Sequence, residues 1–162
     1  MRTKMRSHYG KLGKRRGRKR FRIVMIKKLV DANVILRYLV RDDEALYGKA
    51  FDILEKAKVG KEAIEISESV LAELVYVLLK IYGVDRATIA EKLSELFSYK
   101  GISNPGREDL IDAIKMFGQT NLSIVDCLLC AKAINQGMVL LTFDEELHKL
   151  YTKKTIIQFP ES

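Results

Sequence analysis

Apolar runs of strand length alternate with longer amphipathic segments from Met25 to the end of the chain. The runs Ile26 to Asp31, Ala63 to Ile66 and Met138 to Leu141 predict strands, the third of them buried, and 155–159 predicts a last one. The segments between them repeat apolar residues every three or four positions, which predicts helices. Strands that alternate with helices form mostly parallel sheets with helices on both faces. The pattern therefore predicts an α/β fold, a three-layer α/β/α sandwich around a mostly parallel sheet.

Helix start and stop signals mark the ends of the helices that lie between the predicted strands. A strongly apolar helix is predicted to start at Ser67 or Ser69 and to end at Gly83. Residues 99–106 predict a short strand or extended piece and a turn at Asn104-Pro105-Gly106. The other predicted helices cover 34–40, 45–58, 85–98, 107–117, 124–136 and 145–150.

Length and composition favour one globular domain. The chain has 162 residues, of which 48% are apolar, enough for a core of its own. Its two cysteines exclude a disulfide framework and favour a reducing compartment. No stretch approaches the roughly 18 consecutive apolar residues of a membrane helix. We therefore expect a cytoplasmic protein with no membrane partner.

Basic residues are concentrated at the N-terminus. Residues 1–28 hold 13 of the 29 lysines and arginines and none of the 21 acidic residues, so the rest of the chain has a net charge of −5. Segments this basic are typical of tails that bind polyanions such as nucleic acids. We expect residues 1–24 to form a basic N-terminal arm, either flexible or upstream of a true start at Met25. Residues 25–162 are expected to form the domain.

Four carboxylates lie where an ionised side chain is costly unless a cation or a hydrogen-bond donor compensates it. Asp31 and Asp144 each end a predicted strand, and the carboxyl ends of parallel strands meet at one edge of a sheet. Glu73 interrupts the most apolar helix, and Asp126 lies in the first turn of another. Each has a structural alternative, because the three aspartates can cap helices and Glu73 can face solvent.

Considered together, the four carboxylates predict one acidic site. Such a cluster repels itself strongly unless hard divalent cations lie between its members. A ligand set made only of oxygens favours Mg²⁺ or Mn²⁺ over zinc. Sites of this type suit phosphoryl chemistry, in which the metal activates a water and stabilises the leaving oxygen.

The chain from about Met25 to Phe159 resembles a PIN domain, and most closely the short VapC-type toxin ribonucleases of toxin–antitoxin pairs. Each motif alone is weak, but four in the same order at suitable spacings are specific. The basic arm departs from the family, whose members usually begin a few residues before the first aspartate. The matching pieces are Leu29-Val30-Asp31-Ala32-Asn33-Val34-Ile35-Leu36, Ala72-Glu73-Leu74, Ser123-Ile124-Val125-Asp126 and Leu141-Thr142-Phe143-Asp144.

The resemblance implies a PIN-like sandwich and an endoribonuclease that uses bound Mg²⁺ or Mn²⁺. By position, Asp31, Asp126 and Asp144 would hold the metal directly or through water. Glu73 would complete the acidic pocket and orient the attacking water. The family also implies a homodimer and a cognate antitoxin, whose C-terminal segment occupies the acidic groove, often with an arginine.

Other polar residues flank these motifs. Asn33 and Thr142 match polar supports of the family, and we assign to them hydrogen bonds that orient the metal ligands. Arg37 and Arg41 follow Asp31 on one helix face, where they either contact RNA phosphates or form an ordinary solvated surface.

Two features are expected to carry no chemistry. Cys127 and Cys130 form a C-x-x-C, but they lie in an apolar helix without further zinc ligands, which predicts simple packing. His148 follows Asp144 by four residues and is expected on the solvated surface.

Three other functions compete with a toxin ribonuclease. Asp31-Ala32-Asn33 is similar to the opening motif of haloacid dehalogenases, but Asn33 cannot act as the acid that this chemistry uses, and Glu73 and Asp126 would be left unexplained. A non-catalytic RNA-binding module could act through the basic arm alone. A PIN nuclease of RNA processing fits the same carboxylates and the arm.

Overall fold

The computed structural model of the chain describes residues 26–158. The expected basic arm over 1–24 lies outside this range, as does Phe159 at the end of the last predicted strand. Two strands are present among residues 26–158, β1 (Lys27–Leu29) and β2 (Ala63–Glu65). The α-helices are α1 (Ala32–Val40), α2 (Glu44–Lys58), α3 (Glu68–Tyr76), α4 (Arg86–Phe97), α5 (Arg107–Gln119), α6 (Ile124–Asn135) and α7 (Glu145–Gln158), and a π-helical segment over Val77–Ile81 continues α3.

The sheet is parallel. β1 pairs with β2 with Lys28 opposite Ile64, and an isolated parallel bridge joins Ile64 to Ile102 on the other side of β2. The side chain of Asn104 extends this pairing, because its Oδ1 accepts from the N–H of Ile66 at 3.1 Å and its Nδ2 donates to the carbonyl of Ile66 at 2.6 Å. A mixed α/β fold with a parallel sheet confirms the predicted fold class.

Local caps explain where several helices begin. Asp43, Ser67, Asp85 and Ser123 each accept a hydrogen bond from the backbone N–H three residues later. Such caps satisfy donors that the first helical turn leaves unpaired. The hydrogen bonds from Thr88 lower the pKa of Asp85, in keeping with a carboxylate that is held ionised at its cap.

The core is built mainly from helices α4, α5 and α6, with α1 and α3 completing it. Phe97 and Phe117 are its largest fully buried side chains. Helices α4 and α5 pack closely at Gly118, where an added Cβ would lie 2.6 Å from the Cβ of Ala90. A larger residue at position 118 would therefore force the two helices apart.

The C-terminal region differs from the sequence prediction. Residues 138–143 form no strand, and Val139, Leu141 and Phe143 are 80%, 89% and 108% exposed. The free edge of β1 has no partner among residues 26–158, and Leu29, the last residue of β1, is 73% exposed. The predicted strand over 138–141 is therefore not observed as a strand.

The final strand predicted over 155–159 is not observed either: residues 155–158 are helical. Helix α7 runs past the expected end at Leu150 and continues to Gln158. The sequence contains no glycine or proline between Glu145 and Gln158 that would stop the helix, and Pro160 follows its end. Among the helices of residues 26–158, none combines the length and the apolar character needed to cross a membrane.

Candidate active site

Asp31 occupies the junction between β1 and α1. Its backbone is extended (φ −81°, ψ 154°) in the N-cap position, yet its side chain makes no capping hydrogen bond. Its one side-chain hydrogen bond within the described residues comes from Asn33 Nδ2, 3.3 Å from Oδ2. The side chain is exposed. The structural alternative of a helix cap is thus absent at Asp31, and its oxygens are largely available to a ligand.

Asp126, unlike Asp31, takes part in the start of its helix. Its Oδ2 accepts a hydrogen bond from Ser123 Oγ at 2.6 Å, and its backbone N–H donates to the same hydroxyl at 3.1 Å. Ser123 therefore caps α6, as the spacing of Ser123 and Asp126 predicts, but the carboxylate of Asp126 accepts from the hydroxyl of Ser123 rather than from its backbone N–H. The second oxygen, Oδ1, accepts no hydrogen bond from residues 26–158. Asp126 therefore holds the hydroxyl of the capping Ser123 through Oδ2 and can still present Oδ1 to a ligand.

Asp144 caps the last helix. Its Oδ1 accepts from the backbone N–H of Leu147 at 2.8 Å, and its own N–H donates to Thr142 Oγ1 at 3.0 Å. Thr142 therefore holds the backbone of Asp144 rather than its carboxylate. The two residues line a surface cavity with Phe143 and His148, and His148 is exposed as expected.

A cavity lies between α3 and α6, the helices that carry Glu73 and Asp126. The cavity measures about 270 Å³, and Ser69 and Ala72 line one side of it and Val125 the other. Neither Glu73 nor Asp126 is among the residues that line this cavity, so the structure does not bring the two carboxylates together there. An ion pair between Glu68 and Lys132, 3.4 Å long, joins the two helices.

The sheet brings Asp31 close to the start of α3. Since Leu29 lies opposite Glu65 in the parallel register, Asp31 and Ser67 both follow the same edge of the sheet. Asp144, by contrast, lines a cavity separate from that of Asp31. In the part of the chain that the structure describes, no three histidine, cysteine or acidic side chains are close enough together to hold a metal ion.

The two arginines that follow Asp31 are held in ion pairs. Arg37 binds Asp42 at 2.5 Å, and Asp42 also accepts from the hydroxyl of Tyr82 at 2.6 Å. These hydrogen bonds, first from Tyr82 and then from Arg37, lower the pKa of Asp42. Arg41 binds Glu44 at 3.1 Å and lies 4.6 Å from the centre of the Tyr47 ring. Contact of either arginine with RNA stays a prediction.

Arg86 holds the backbone that leads into α6, the helix of Asp126. No sequence pattern identifies Arg86 as important. Its Nε donates to the carbonyl of Phe117 at 3.1 Å, its Nη2 donates to the carbonyl of Leu122, and its guanidinium lies 3.7 Å from the centre of the Phe117 ring. These contacts hold the connection between α5 and α6 just before Ser123. Burial lowers the pKa of Arg86, yet arginine stays charged in proteins. Its partners are backbone oxygens distant in sequence, which explains why only the fold reveals it.

Replacing Arg86 by methionine is expected to lower the free energy of unfolding by about 2–4 kcal/mol, because two carbonyls lose a charged donor. Urea denaturation monitored by circular dichroism measures the change. The matched control is Arg107→Met, since Arg107 makes one long hydrogen bond, 3.4 Å, to the carbonyl of Ile102. We expect that control to cost less than about 1 kcal/mol. Equal losses for the two variants would contradict the role assigned to Arg86.

The two cysteines pack as predicted. Cys127 and Cys130 are both buried in α6 and are free thiols. Burial raises the pKa of Cys127 to about 11, so its thiolate is scarce at neutral pH. The C-x-x-C therefore has neither the exposure nor the ionisation of a redox pair.

Comparisons with known proteins relate the sequence to one family. The sequence profile of the PIN domain matches residues 28–153, a range that includes all four carboxylates. A VapC ribonuclease of Aquifex aeolicus (strain VF5) is 27% identical over 136 residues, which is 83% of this chain and 99% of that protein. No solved structure matches the chain significantly.

Proposed function

The chain belongs to the PIN domain family, and on that premise we propose that it is a metal-dependent endoribonuclease, the toxin of a type II toxin–antitoxin pair. The observation that carries this proposal is the similarity to a VapC ribonuclease along 99% of that protein's length. The open carboxylate of Asp31 at the end of β1 supports it, because a structural role as a helix cap is absent there.

The oxygen chemistry of the donor set suits a hard divalent cation, although no three of these side chains lie close enough together in the described residues to hold one. We assign Mg²⁺ or Mn²⁺ to Asp31, Asp126 and Asp144, whose carboxylates offer only oxygen. Asp31 and Oδ1 of Asp126 carry the free lone pairs that such an ion needs. Once bound, the ion would polarise the scissile phosphate and acidify a water.

A movement of residues 138–143 would complete this set. We propose that they pair with the free edge of β1 as a parallel strand, which would bring Asp144 to the edge of the sheet where Asp31 lies. Three observations support this pairing: the alternating exposed side chains of Val139, Leu141 and Phe143, the exposed Leu29, and the unpaired edge of β1. Unpaired strand edges and exposed apolar faces of this kind favour strand addition.

The remaining site residues have supporting roles in this proposal. Asn33 would orient the carboxylate of Asp31 through its Nδ2, and Thr142 would fix the backbone at Asp144. Glu73 would accept a hydrogen bond from the attacking water and so orient it. Its exposure on α3, with no hydrogen-bond partner among the described residues, leaves it available for this role.

We also propose the partners that accompany this function. RNA is the substrate, and a cognate antitoxin would cover the acidic site in the cytoplasm. A homodimer is supported by an apolar surface beside the α3–α6 cavity, where Tyr76, Val125 and Leu129 are 61%, 51% and 50% exposed. A nuclease of RNA processing is the second candidate, which the 13 basic residues of 1–28 favour.

The proposal is tested by incubating the full chain with total cellular RNA in Mn²⁺ and in EDTA, with the Asp126→Asn protein in parallel. We expect discrete fragments only for the unchanged chain in Mn²⁺, because cleavage would require the ion and Asp126 would be one of its ligands. Mapping the fragment ends separates a toxin with one target from a processing enzyme. Intact RNA in the Mn²⁺ lane, or fragments from the Asp126→Asn protein, would overturn the proposal.

A further inference from the structure

The hydroxyl of Ser123 makes two hydrogen bonds at the start of α6, and both go to Asp126. Its Oγ accepts from the backbone N–H of Asp126 at 3.1 Å and donates to Oδ2 of the same residue at 2.6 Å. The first bond caps the helix. The second is a charge-assisted bond, a class that is shorter and stronger than bonds between neutral groups. A hydroxyl can donate its single hydrogen and accept at the same time, so one side chain makes both bonds at once.

The bond to Oδ2 is additional to the cap. Ser67 caps α3 in the same way, since its Oγ accepts from the backbone N–H of Val70 at 3.3 Å. A valine side chain lies three residues after that serine, and the hydroxyl of Ser67 shares a hydrogen bond with the hydroxyl of Ser69 instead, at 2.8 Å. A serine cap therefore forms in this protein without a carboxylate three residues later. Capping alone does not account for the bond between Ser123 and Oδ2.

The backbone that carries the Ser123 hydroxyl is fixed on both sides. The side chains of Leu122 and Ile124 are buried, with 7% and 5% of their surface exposed. Arg86 donates to the carbonyl of Leu122, one residue before the serine. The backbone of Ser123 is extended, with φ −65° and ψ 157°. The hydroxyl therefore has a set position, although Ser123 itself is exposed.

This position determines how the carboxylate of Asp126 is turned. The torsion that rotates an aspartate carboxylate is soft, so a free carboxylate samples a broad range of orientations. The bond from Ser123 holds Oδ2, while Oδ1 accepts no hydrogen bond from residues 26–158. The open oxygen is thus presented in one orientation. A donor that is already oriented loses less conformational freedom when it binds a ligand.

We propose that Ser123 is a positioning residue, whose hydroxyl orients Oδ1 of Asp126 for the divalent cation. The proposal rests on the proposed function, which assigns Asp126 as a metal ligand. Ser123 would contact neither the ion nor the RNA and would act only through the carboxylate. Hydrogen-bond partners that orient a metal ligand typically contribute about 10- to 100-fold to metal affinity.

The test titrates Mn²⁺ into the metal-free full chain without RNA, and electron paramagnetic resonance measures the free ion. Ser123→Gly removes the hydroxyl, and glycine is nearly as good as serine at the N-cap, so the helix is retained. We expect this variant to bind Mn²⁺ about 10- to 100-fold more weakly. Ser123→Thr keeps the hydroxyl and is expected to bind within about threefold of the unchanged chain. Urea denaturation checks the fold of each variant.

Thr88→Val is the matched control. Thr88 Oγ1 donates to Oδ2 of Asp85 at 2.6 Å at the start of α4, so the same kind of bond joins a hydroxyl to a carboxylate three residues away. Asp85 has no part in the proposed metal site. We expect Thr88→Val to leave the affinity for Mn²⁺ unchanged. Asp126→Asn is titrated beside it, to show how much affinity depends on the carboxylate itself.

The positioning role is overturned if Ser123→Gly binds Mn²⁺ as tightly as the unchanged chain, if Ser123→Thr binds as weakly as Ser123→Gly, or if Thr88→Val loses as much. In those cases a loss of affinity in Asp126→Asn would leave the metal site of the proposed function standing. If Asp126→Asn instead binds Mn²⁺ like the unchanged chain, the metal assignment itself fails, and the role of Ser123 fails with it. Weak binding by Ser123→Gly together with recovery in Ser123→Thr supports the proposal.

Discussion

The Asp31→Asn protein is expected to cleave RNA roughly 1,000-fold more slowly than the unchanged chain, a loss of about 4 kcal/mol in transition-state stabilisation. The amide keeps the shape of the side chain but removes the negative charge that would hold the ion. Folding should be unaffected, because Asp31 is exposed and makes no capping hydrogen bond. Initial cleavage rates over a Mn²⁺ titration measure the loss, and urea denaturation checks that the fold is retained.

Asp52→Asn is the matched control for that experiment. Asp52 lines the same cavity as Asp31, and its carboxylate binds Lys56 at 2.6 Å on the surface of α2. Losing an exposed pair of this kind costs less than about 1 kcal/mol of stability. We expect Asp52→Asn to retain at least half of the cleavage rate. Near-normal cleavage by Asp31→Asn, or equal losses in the two variants, would refute the role assigned to Asp31.

Val139→Asn and Leu141→Asn are expected to destabilise the protein by about 1.5–3 kcal/mol each and to reduce cleavage strongly. This expectation follows from the proposed strand over 138–143, which would bury both side chains against the helices. In the structure as described, the two residues are 80% and 89% exposed, so an asparagine would cost almost nothing there. Urea denaturation with and without Mn²⁺ separates the two cases.

Val59→Asn is the control for the strand experiment. Val59 is 55% exposed at the end of α2, and nothing proposed here buries it further. Its replacement is expected to change the free energy of unfolding by less than about 0.5 kcal/mol. If Val139→Asn and Leu141→Asn behave like Val59→Asn, residues 138–143 stay exposed and the proposed pairing with β1 is wrong. The metal site would then need another source for its third carboxylate.

Most helix boundaries were predictable because their causes are local. Ser67, Asp85 and Ser123 satisfy N–H groups only three residues away, so the signal lies within one turn of the chain. Strands are different, since an extended run is stable only against a partner far away in the sequence. Residues Ala63–Glu65 pair with β1 and form a strand. Residues 138–143 have a stronger apolar pattern but pair with no strand among the described residues. The apolar pattern of a segment can thus predict a strand, but the strand forms only where another strand pairs with it.

The candidate site, too, was predictable in part from the sequence and depended in part on the fold. The identities of the four carboxylates, their order along the chain and the charge asymmetry of residues 1–28 follow from the sequence alone. The tertiary structure decided which oxygens are free: Asp31 stays open, whereas Asp126 and Asp144 are engaged by Ser123 and by the N–H of Leu147. It also decided that Asp42 binds Arg37 and that Arg86 holds the loop before Asp126. Residue identity belongs to the chain, but the availability of a charge depends on neighbours that only folding brings within hydrogen-bond distance.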